Sequence, residues 1–297
     1  MYKIVRKIKL AEGIDRFEIE APLIAKKAKA GQFVVIRVNE YGERIPLTIA
    51  DYDSSQGIIS LVAMSIGKTT YMLSNLRRGD SIKDVVGPLG KQSEIERFGK
   101  IICVGGGVGI APVMPIAKSL KNIGNYIISI IGAKNEASLI LADEMKEISD
   151  KFYICSDDGS IGFHGFVSEM LNELLEGSEK SSNSNLRRDI DRVIAIGPAP
   201  MMSAVCNVTK PYSIKTIVSL NSIMVDGTGM CGTCRVEVGG ETKFVCVDGP
   251  EFDGHEVDFS LLMLRQKMYL NEEKKALDLY EERCRCKALE QKNGKTC

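Results

Sequence analysis

Asp226, Cys231, Cys234 and Cys246 follow one another as D-x4-C-x2-C-x11-C inside a glycine-rich stretch of a 297-residue chain. Two cysteines with two residues between them on a tight turn can present both thiolates to one metal. A C-x4-C-x2-C run with a distant further cysteine is an iron–sulfur spacing. Here the spacing is kept while the first position is aspartate, a hard oxygen donor able to bind ferric iron. Gly227, Gly229 and Gly232 let backbone amides approach and donate to cluster sulfides. The same donor set suits tetrahedral zinc. The residues alone therefore leave three readings, a [2Fe–2S] cluster, a zinc site and unligated thiols; Asp226 is the fourth ligand, or it only caps the turn while water or another residue ligates.

Three glycine-bearing segments could meet a nucleotide. Val104–Pro112 reads VGGGVGIAP: Gly105, Gly106, Gly107, Val108, Gly109, Ile110, Ala111 and Pro112 run from a strand into a helix start. Bare backbone there admits a pyrophosphate, and unpaired helix N–H groups face it. Ile110 breaks the usual G-x-G-x-x-G pattern. Asp157, Asp158 and Gly159 end a later strand, where carboxylates can accept from ribose hydroxyls; a plain Asp-Gly turn is the alternative. Gly197, Pro198 and Met201 lie in GPAPMM, where glycine lets a planar ring come close or a helix simply begins. Nearer the N-terminus, RIPLT (Arg44, Pro46, Leu47, Thr48) and GKTT (Gly67, Lys68, Thr69, Thr70) offer guanidinium, ammonium and hydroxyl donors suited to phosphate, or to an ordinary charged surface. With only His164 and His255 in the chain, histidine acid–base catalysis is not expected. His164 reads as a turn residue or phosphate neighbour.

The elements that must position these groups come in four runs. Residues 1–97 alternate like short strands between turn residues, the pattern of a small antiparallel barrel. In residues 98–218 strand and helix patterns alternate, implying a parallel sheet with helices on both faces. Residues 219–255 are glycine-rich and too poor in apolar side chains to fold without a staple. Residues 256–297 read as one or two amphipathic helices, and the serine-rich Gly177–Asp189 as a surface loop. The fold class expected is thus a β-barrel joined to an α/β domain, a small metal-bearing unit and C-terminal helices.

Composition narrows the function. Thirty-nine basic and 39 acidic side chains cancel, which argues against a nucleic-acid partner. No apolar run approaches the ~18 residues of a membrane span, and MYKIVRKIKL lacks the apolar segment of a signal peptide. A cytoplasmic location is expected. Nine cysteines, an odd number, do not suggest a disulfide framework. Cys103, Cys155 and Cys206 read as small buried hydrophobes, and Cys284, Cys286 and Cys297 as solvent thiols.

From about Tyr2 to His255 the ordered set RIPLT, GKTT, GPLG, GGGVGIAP, DDGSIGFHG, GPAPMM and the Asp-Cys-Cys-Cys run followed by DGPEF resembles the ferredoxin–NADP reductase-like superfamily. The similarity is to the branch containing the dihydroorotate dehydrogenase electron-transfer subunit. Within it the chain looks most like the small subunits of electron-bifurcating NADH-dependent reduced ferredoxin:NADP oxidoreductases, which share aspartate at the first ligand position where dihydroorotate-type subunits have cysteine. The tail after His255 points the same way. The resemblance implies a six-stranded FAD barrel, with Arg44, Pro46, Leu47 and Thr48 along the flavin and its pyrophosphate and Gly67 to Thr70 completing the phosphate site. It implies NAD(H) on Gly105 to Pro112, with Asp157, Asp158 and Gly159 at the adenosine half and Gly197, Pro198 and Met201 near the nicotinamide. The acidic pair disfavours a 2′-phosphate, so NAD(H) is expected over NADP(H). It also implies a larger partner carrying its own FAD and two [4Fe–4S] clusters, through which ferredoxin is reached. The C-terminal helices are expected to pack on that partner through Leu261, Leu262, Leu264, Met268 and Tyr269, or back on their own chain. The competing expectations are a dihydroorotate dehydrogenase electron-transfer subunit and a zinc-stabilised binding module without redox activity.

Overall fold

A computed structural model of the chain describes residues 1–177 and 189–293, with side chains described as far as Cys284. The serine-rich segment between Gly177 and Asp189, Cys297 and the side chain of Cys286 lie outside the described residues.

Seven antiparallel strands form the first sheet: β1 (Tyr2–Ala11), β2 (Ile14–Glu20), β3 (Phe33–Arg37), β4 (Arg44–Asp53), β5 (Ile58–Met64), β6 (Ser81–Ile82) and β7 (Asp84–Leu89), in the order β6-β1-β2-β5-β4-β3-β7. Its two edge strands are consecutive in the chain and separated only by Lys83, so the sheet curls until its edges almost meet. The resemblance implied six strands; the seventh is the two-residue β6. Alternation decides which side faces in. Phe17 and Ile19 of β2 pair with Leu61 and Ile59 of β5, and all four are fully buried. Two short helices, α1 (Pro22–Ala25) and α2 (Lys68–Ser74), add Ile24, Ala25, Met72 and Leu73 to the same interior.

The second sheet has the order β11-β10-β9-β8-β12-β13-β16. Its strands are β8 (Lys100–Gly106), β9 (Tyr126–Ala133), β10 (Lys151–Ser156), β11 (Phe163–His164), β12 (Arg192–Ile196) and β13 (Thr216–Ser219), all parallel, with β16 (Glu251–Asp253) antiparallel on the edge. Along β8, Ile101 and Cys103 face α3 (Ile110–Asn122) and α4 (Ala142–Ile148). Ile102 and Val104 face α5 (Val167–Glu176) and α6 (Ala199–Thr209). Covered on both sides, such strands read as continuous apolar runs. The α3 face also meets Ala50 and Val62 of the barrel. Pro112 lies in the first turn of α3 and Pro115 one turn further in.

A hairpin of β14 (Arg235–Val238) and β15 (Glu241–Phe244), followed by α7 (Val245–Asp248), joins the core beneath α5 and α6 through Val236, Val238 and Val245. The tail forms α8 (Phe259–Gln266) and α9 (Leu270–Asn293). The stripe expected to face a partner is divided. Leu262 is buried in the chain's own core and Leu261 is half-buried, while Leu264, Met268 and Tyr269 are exposed. Among the described residues no helix is long and apolar enough to cross a membrane.

Candidate functional site

Beyond β8 the strand order reverses: β9 and β10 continue to one side, β12 and β13 to the other. In open α/β sheets that crevice is where ligands bind. Gly105 and Gly106 end β8, Gly107–Gly109 make one tight helical turn, and α3 begins at Ile110. Gly109 is pressed against the end of β12: a Cβ there would stand 2.7 Å from Gly197 Cα and closer still to the Ile196 carbonyl oxygen. The Met201 thioether lies between Gly106 and Gly197, its sulfur 2.9 Å from where a Gly197 Cβ would be. Pro198 caps α6 at its N-terminus. The structure thus brings together Gly105–Gly109, Gly197, Pro198 and Met201. Val108 and Pro112 are half-buried there, while Ile110 and Ala111 point into the core.

Asp157 and Asp158 stand exposed at the end of β10, two strands from β8. Asp158 accepts from the Ser160 backbone N–H at 2.9 Å. Hydrogen bonds from Ser160 hold its carboxyl below the usual carboxylate range. Asp157 keeps its carboxylate at the surface. Gly159, with φ +75°, lies against the His164 ring.

On the barrel, alternation along β4 sends Ile45 and Leu47 toward the interior and puts Arg44, Pro46 and Thr48 on the opposite face. Leu47, expected to line the flavin, is half-buried with its side chain packed against the barrel core. Arg44 is exposed and has no ion-pair partner among the described residues. Gly67 precedes α2 in extended conformation. The Thr70 hydroxyl closes this turn, accepting from the Ile66 and Gly67 N–H groups at 3.0 Å and donating to the Gly67 carbonyl at 2.9 Å. It is thereby a structural cap. Lys68 Nζ lies 3.1 Å from Glu43 Oε1, and Thr69 Oγ1 donates to Glu43 Oε2 at 2.9 Å. Glu43 escaped the sequence reading, although its place beside Arg44 was the available signal.

The cluster loop is only partly gathered. Cys234 and Cys246 are buried with their sulfurs 3.2 Å apart. Cys231 is exposed. The Asp226 carboxylate accepts from the N–H groups of Thr228 at 2.9 Å and Cys231 at 2.8 Å. Those backbone bonds, Thr228 first, hold it below the usual carboxylate range. Hydrogen bonding at Thr233 lowers the Cys231 thiol, whereas burial pushes Cys246 up to about 12. Among the described residues no three His, Cys, Asp or Glu side chains converge as a closed metal-ligand set. The donor chemistry nevertheless fits an iron–sulfur group. Two thiols already touch, a third lies three residues from one of them on a turn that favours its thiolate, and an ionised carboxylate starts the loop. Gly227, at φ +76°, brings the loop against the barrel: a Cβ would be 2.8 Å from Val35 on β3 and from Leu89 on β7. β3 is the strand paired with β4, Val35 opposite Pro46.

Comparison with known proteins agrees with this layout. Residues 221–258 match the iron–sulfur cluster binding domain of dihydroorotate dehydrogenase B. A Thermotoga maritima protein described as a dihydroorotate dehydrogenase B (NAD(+)) electron transfer subunit homolog is 48% identical over 92% of this chain and 93% of its own. The Geobacillus thermodenitrificans electron transfer subunit is 31% identical over 86% and 96%. A solved structure of the NADH-dependent reduced ferredoxin-NADP oxidoreductase, studied for flavin-based electron bifurcation, superposes with a TM-score of 0.86 at 46% identity, covering 94% of this chain and 98% of that one. Phthalate dioxygenase reductase, at 18% identity and a TM-score of 0.56, shares the fold. A ferredoxin-reductase-like barrel, a nucleotide-type switch point and an Asp-Cys-Cys-Cys loop in one chain, together with relatives that span nearly its whole length, lead to one assignment: the chain belongs to the family of dihydroorotate dehydrogenase B electron-transfer subunits.

Proposed function

We propose that this chain is the flavin- and [2Fe–2S]-bearing electron-transfer subunit of an NADH-dependent reduced ferredoxin:NADP oxidoreductase. It exchanges hydride with NAD(H) and passes electrons to a larger subunit that carries its own FAD and two [4Fe–4S] clusters. The observation that carries this is the 46% identity over 94% of the chain and 98% of the bifurcating-enzyme structure. The curated dihydroorotate dehydrogenase subunits proper of Fusobacterium nucleatum and Geobacillus thermodenitrificans stand at 27% and 31%. A dihydroorotate dehydrogenase electron-transfer subunit is the second reading, supported by the match of residues 221–258.

Bound FAD supplies the exchange between two-electron hydride chemistry and single electrons, and the cluster supplies single-electron carriage. The chain's own residues orient and insulate. Arg44 neutralises a flavin diphosphate, and Lys68 and Thr69, which hold the Glu43 carboxylate in this structure, are the donors a phosphate oxygen would take. Pro46 and Thr48 border the flavin ring from β4. Backbone N–H groups of Gly105–Gly109 and the start of α3 hold the NAD(H) pyrophosphate. Asp157 and Asp158 accept from its ribose hydroxyls and repel a 2′-phosphate. Pro198 and Met201 border the nicotinamide. Asp226, Cys231, Cys234 and Cys246 would hold the cluster. Fixed geometry is the chain's main contribution to rate.

The test is an anaerobic visible spectrum with flavin, iron, sulfide and zinc assays before and after NADH. One FAD with two irons and two sulfides, bleached by NADH, is expected. Stoichiometric zinc without flavin would overturn the proposal. Dihydroorotate-driven NAD reduction with a cognate catalytic subunit would favour the second reading.

A further inference from the structure

The chain beyond residue 258 lies past the part matched to the iron–sulfur domain, yet it touches both candidate cofactor loops. At its near end, α8 buries Phe259 and Leu262 in the core that holds Cys234 and Cys246. From α8, Arg265 Nη2 donates at 3.1 Å to the carbonyl of Thr233, inside the Cys231–Cys234 turn. Gln266 Nε2 donates at 2.6 Å to the carbonyl of Asn221, which leads into the same loop. At its far end, α9 returns to the barrel and packs on α2. The Tyr280 ring joins the barrel core there. Its hydroxyl accepts from Asn75 Nδ2, at the C-terminal end of α2, at 3.1 Å.

The helix gripped in this way needs holding. α2 has seven residues, well short of the ~12–15 at which a helix is even marginal by itself. Its first turn carries Lys68 and Thr69 and its closing residue is Asn75, so whatever fixes the end of the helix fixes the direction of those donors. Met72 and Leu73 anchor its inner face on the barrel; Tyr280 and α9 bear on its outer end. Tyr280 is ten residues into a helix of 24, about 15 Å from its start at ~1.5 Å per residue. The extension therefore bridges from the cluster turn to α2 through two helices, α8 and α9, joined by the short turn at 267–269.

We propose that this C-terminal extension is an intramolecular brace. Arg265 is the positioning residue for the cluster turn and Tyr280 the positioning residue for the flavin-diphosphate helix, so that one segment sets the placement of one cofactor loop relative to the other. The proposal rests on the FAD assignment to α2 made above. It gives α9 a role inside the subunit, apart from any contact with a partner.

The test uses the full-length chain and its Tyr280→Ala, Tyr280→Phe, Asn75→Ala and Arg265→Ala variants. Flavin release is followed by the rise in free-FAD fluorescence after dilution, α2 by hydrogen exchange of residues 67–75, and the reduced cluster by its paramagnetic resonance spectrum. Tyr280→Ala should speed flavin release about five- to tenfold and exchange in α2 similarly, leaving the cluster spectrum unchanged. Tyr280→Phe keeps the ring and should give only about two- to threefold, the scale of one hydrogen bond. Adding Asn75→Ala to Tyr280→Phe should add nothing further, because both remove the same bond. Arg265→Ala should alter the cluster spectrum and leave flavin release as in the parent. Parent-like α2 exchange in Tyr280→Ala overturns the brace. A parent chain that holds no FAD overturns the functional assignment instead, and the exchange of α2 still decides whether the brace exists.

Discussion

The nucleotide crevice and the cluster loop are built by opposite means. At the crevice every contributing backbone belongs to a strand end or helix start of a sheet covered on both faces, and the parts touch one another: Gly109 against Ile196 and Gly197, Met201 between two glycines. In the cluster loop only Cys234 and Cys246 are fixed by burial, while Asp226 is half-buried, Cys231 is exposed, and the two are tied together through the Cys231 backbone N–H. A rigid site is present before its ligand; a loop of donors is completed by its metal, so that binding energy becomes folding energy there. Removing the two buried thiols separately is the strongest way to break this contrast. Cys234→Ser and Cys246→Ser should each abolish iron and sulfide in the purified chain. NADH should still bleach the flavin, since the crevice does not depend on the loop. Simultaneous loss of flavin reduction, read by stopped-flow absorbance, would show the two regions to be one cooperative unit.

The next effect belongs to the crevice. In Gly109→Ala the new methyl meets backbone on β12, which cannot turn aside as a side-chain tip can. Overpacking of this kind costs about 1–3 kcal/mol. NADH affinity should fall about tenfold and the melting temperature with it, while the cluster spectrum stays unchanged. A titration showing parent-like NADH binding would mean that the crevice is less rigid than its contacts imply.

Gly227→Ala should act more mildly in the loop. The residue needs φ +76°, worth about 1–2 kcal/mol against a side chain, but the atoms in its way are the methyl tips of Val35 and Leu89. The expected outcome is a few-fold slower reduction of the cluster by NADH, with flavin reduction at the parent rate. Equal slowing of both would remove the distinction between loop and crevice.

The same contrast explains what could be read from the chain. Strand–helix alternation announced the sheet because burial on both faces leaves apolar runs such as IICV and YIISII, and the glycines after β8 marked its switch point. The donor spacing announced the loop but not its state: nothing in D-x4-C-x2-C says that Asp226 accepts from Thr228 and Cys231. Pairings distant in sequence were also out of reach. Glu43 with Lys68 and Thr69, Arg265 with Thr233, and Tyr280 with Asn75 each join segments that only the folded chain brings together. That Leu47 leans toward the barrel core while Pro46 and Thr48 face the other way follows from the two-residue alternation of β4, which the motif by itself does not display. The seventh barrel strand, at two residues, is too short to carry any pattern.

The smallest effect lies on β16, the strand by which the cluster unit rejoins the sheet. Burial raises the carboxyl of Glu251 above its ordinary value. The groups facing it are Ser93, whose hydroxyl donates to it, and the Arg192–Glu94 pair, joined at 2.6 Å. Arg192 favours the ionised carboxylate and Glu94 opposes it, so neither outweighs the loss of water. An acid whose folded pKa lies above its unfolded one binds its proton more tightly in the native state. Its effect is neutral or favourable below the unfolded value of 4.5, and stability is lost as pH rises from there through the folded value. Glu251→Gln, which keeps an oxygen for Ser93 and cannot ionise, should therefore raise the melting temperature at neutral pH by about 2 °C, corresponding to roughly 0.5–1 kcal/mol. The gain should vanish as the pH is lowered toward 4.5. A gain that persisted in acid would place its origin in packing against Gly31 rather than in the charge, and a loss at neutral pH would mean that Arg192 holds the carboxylate after all.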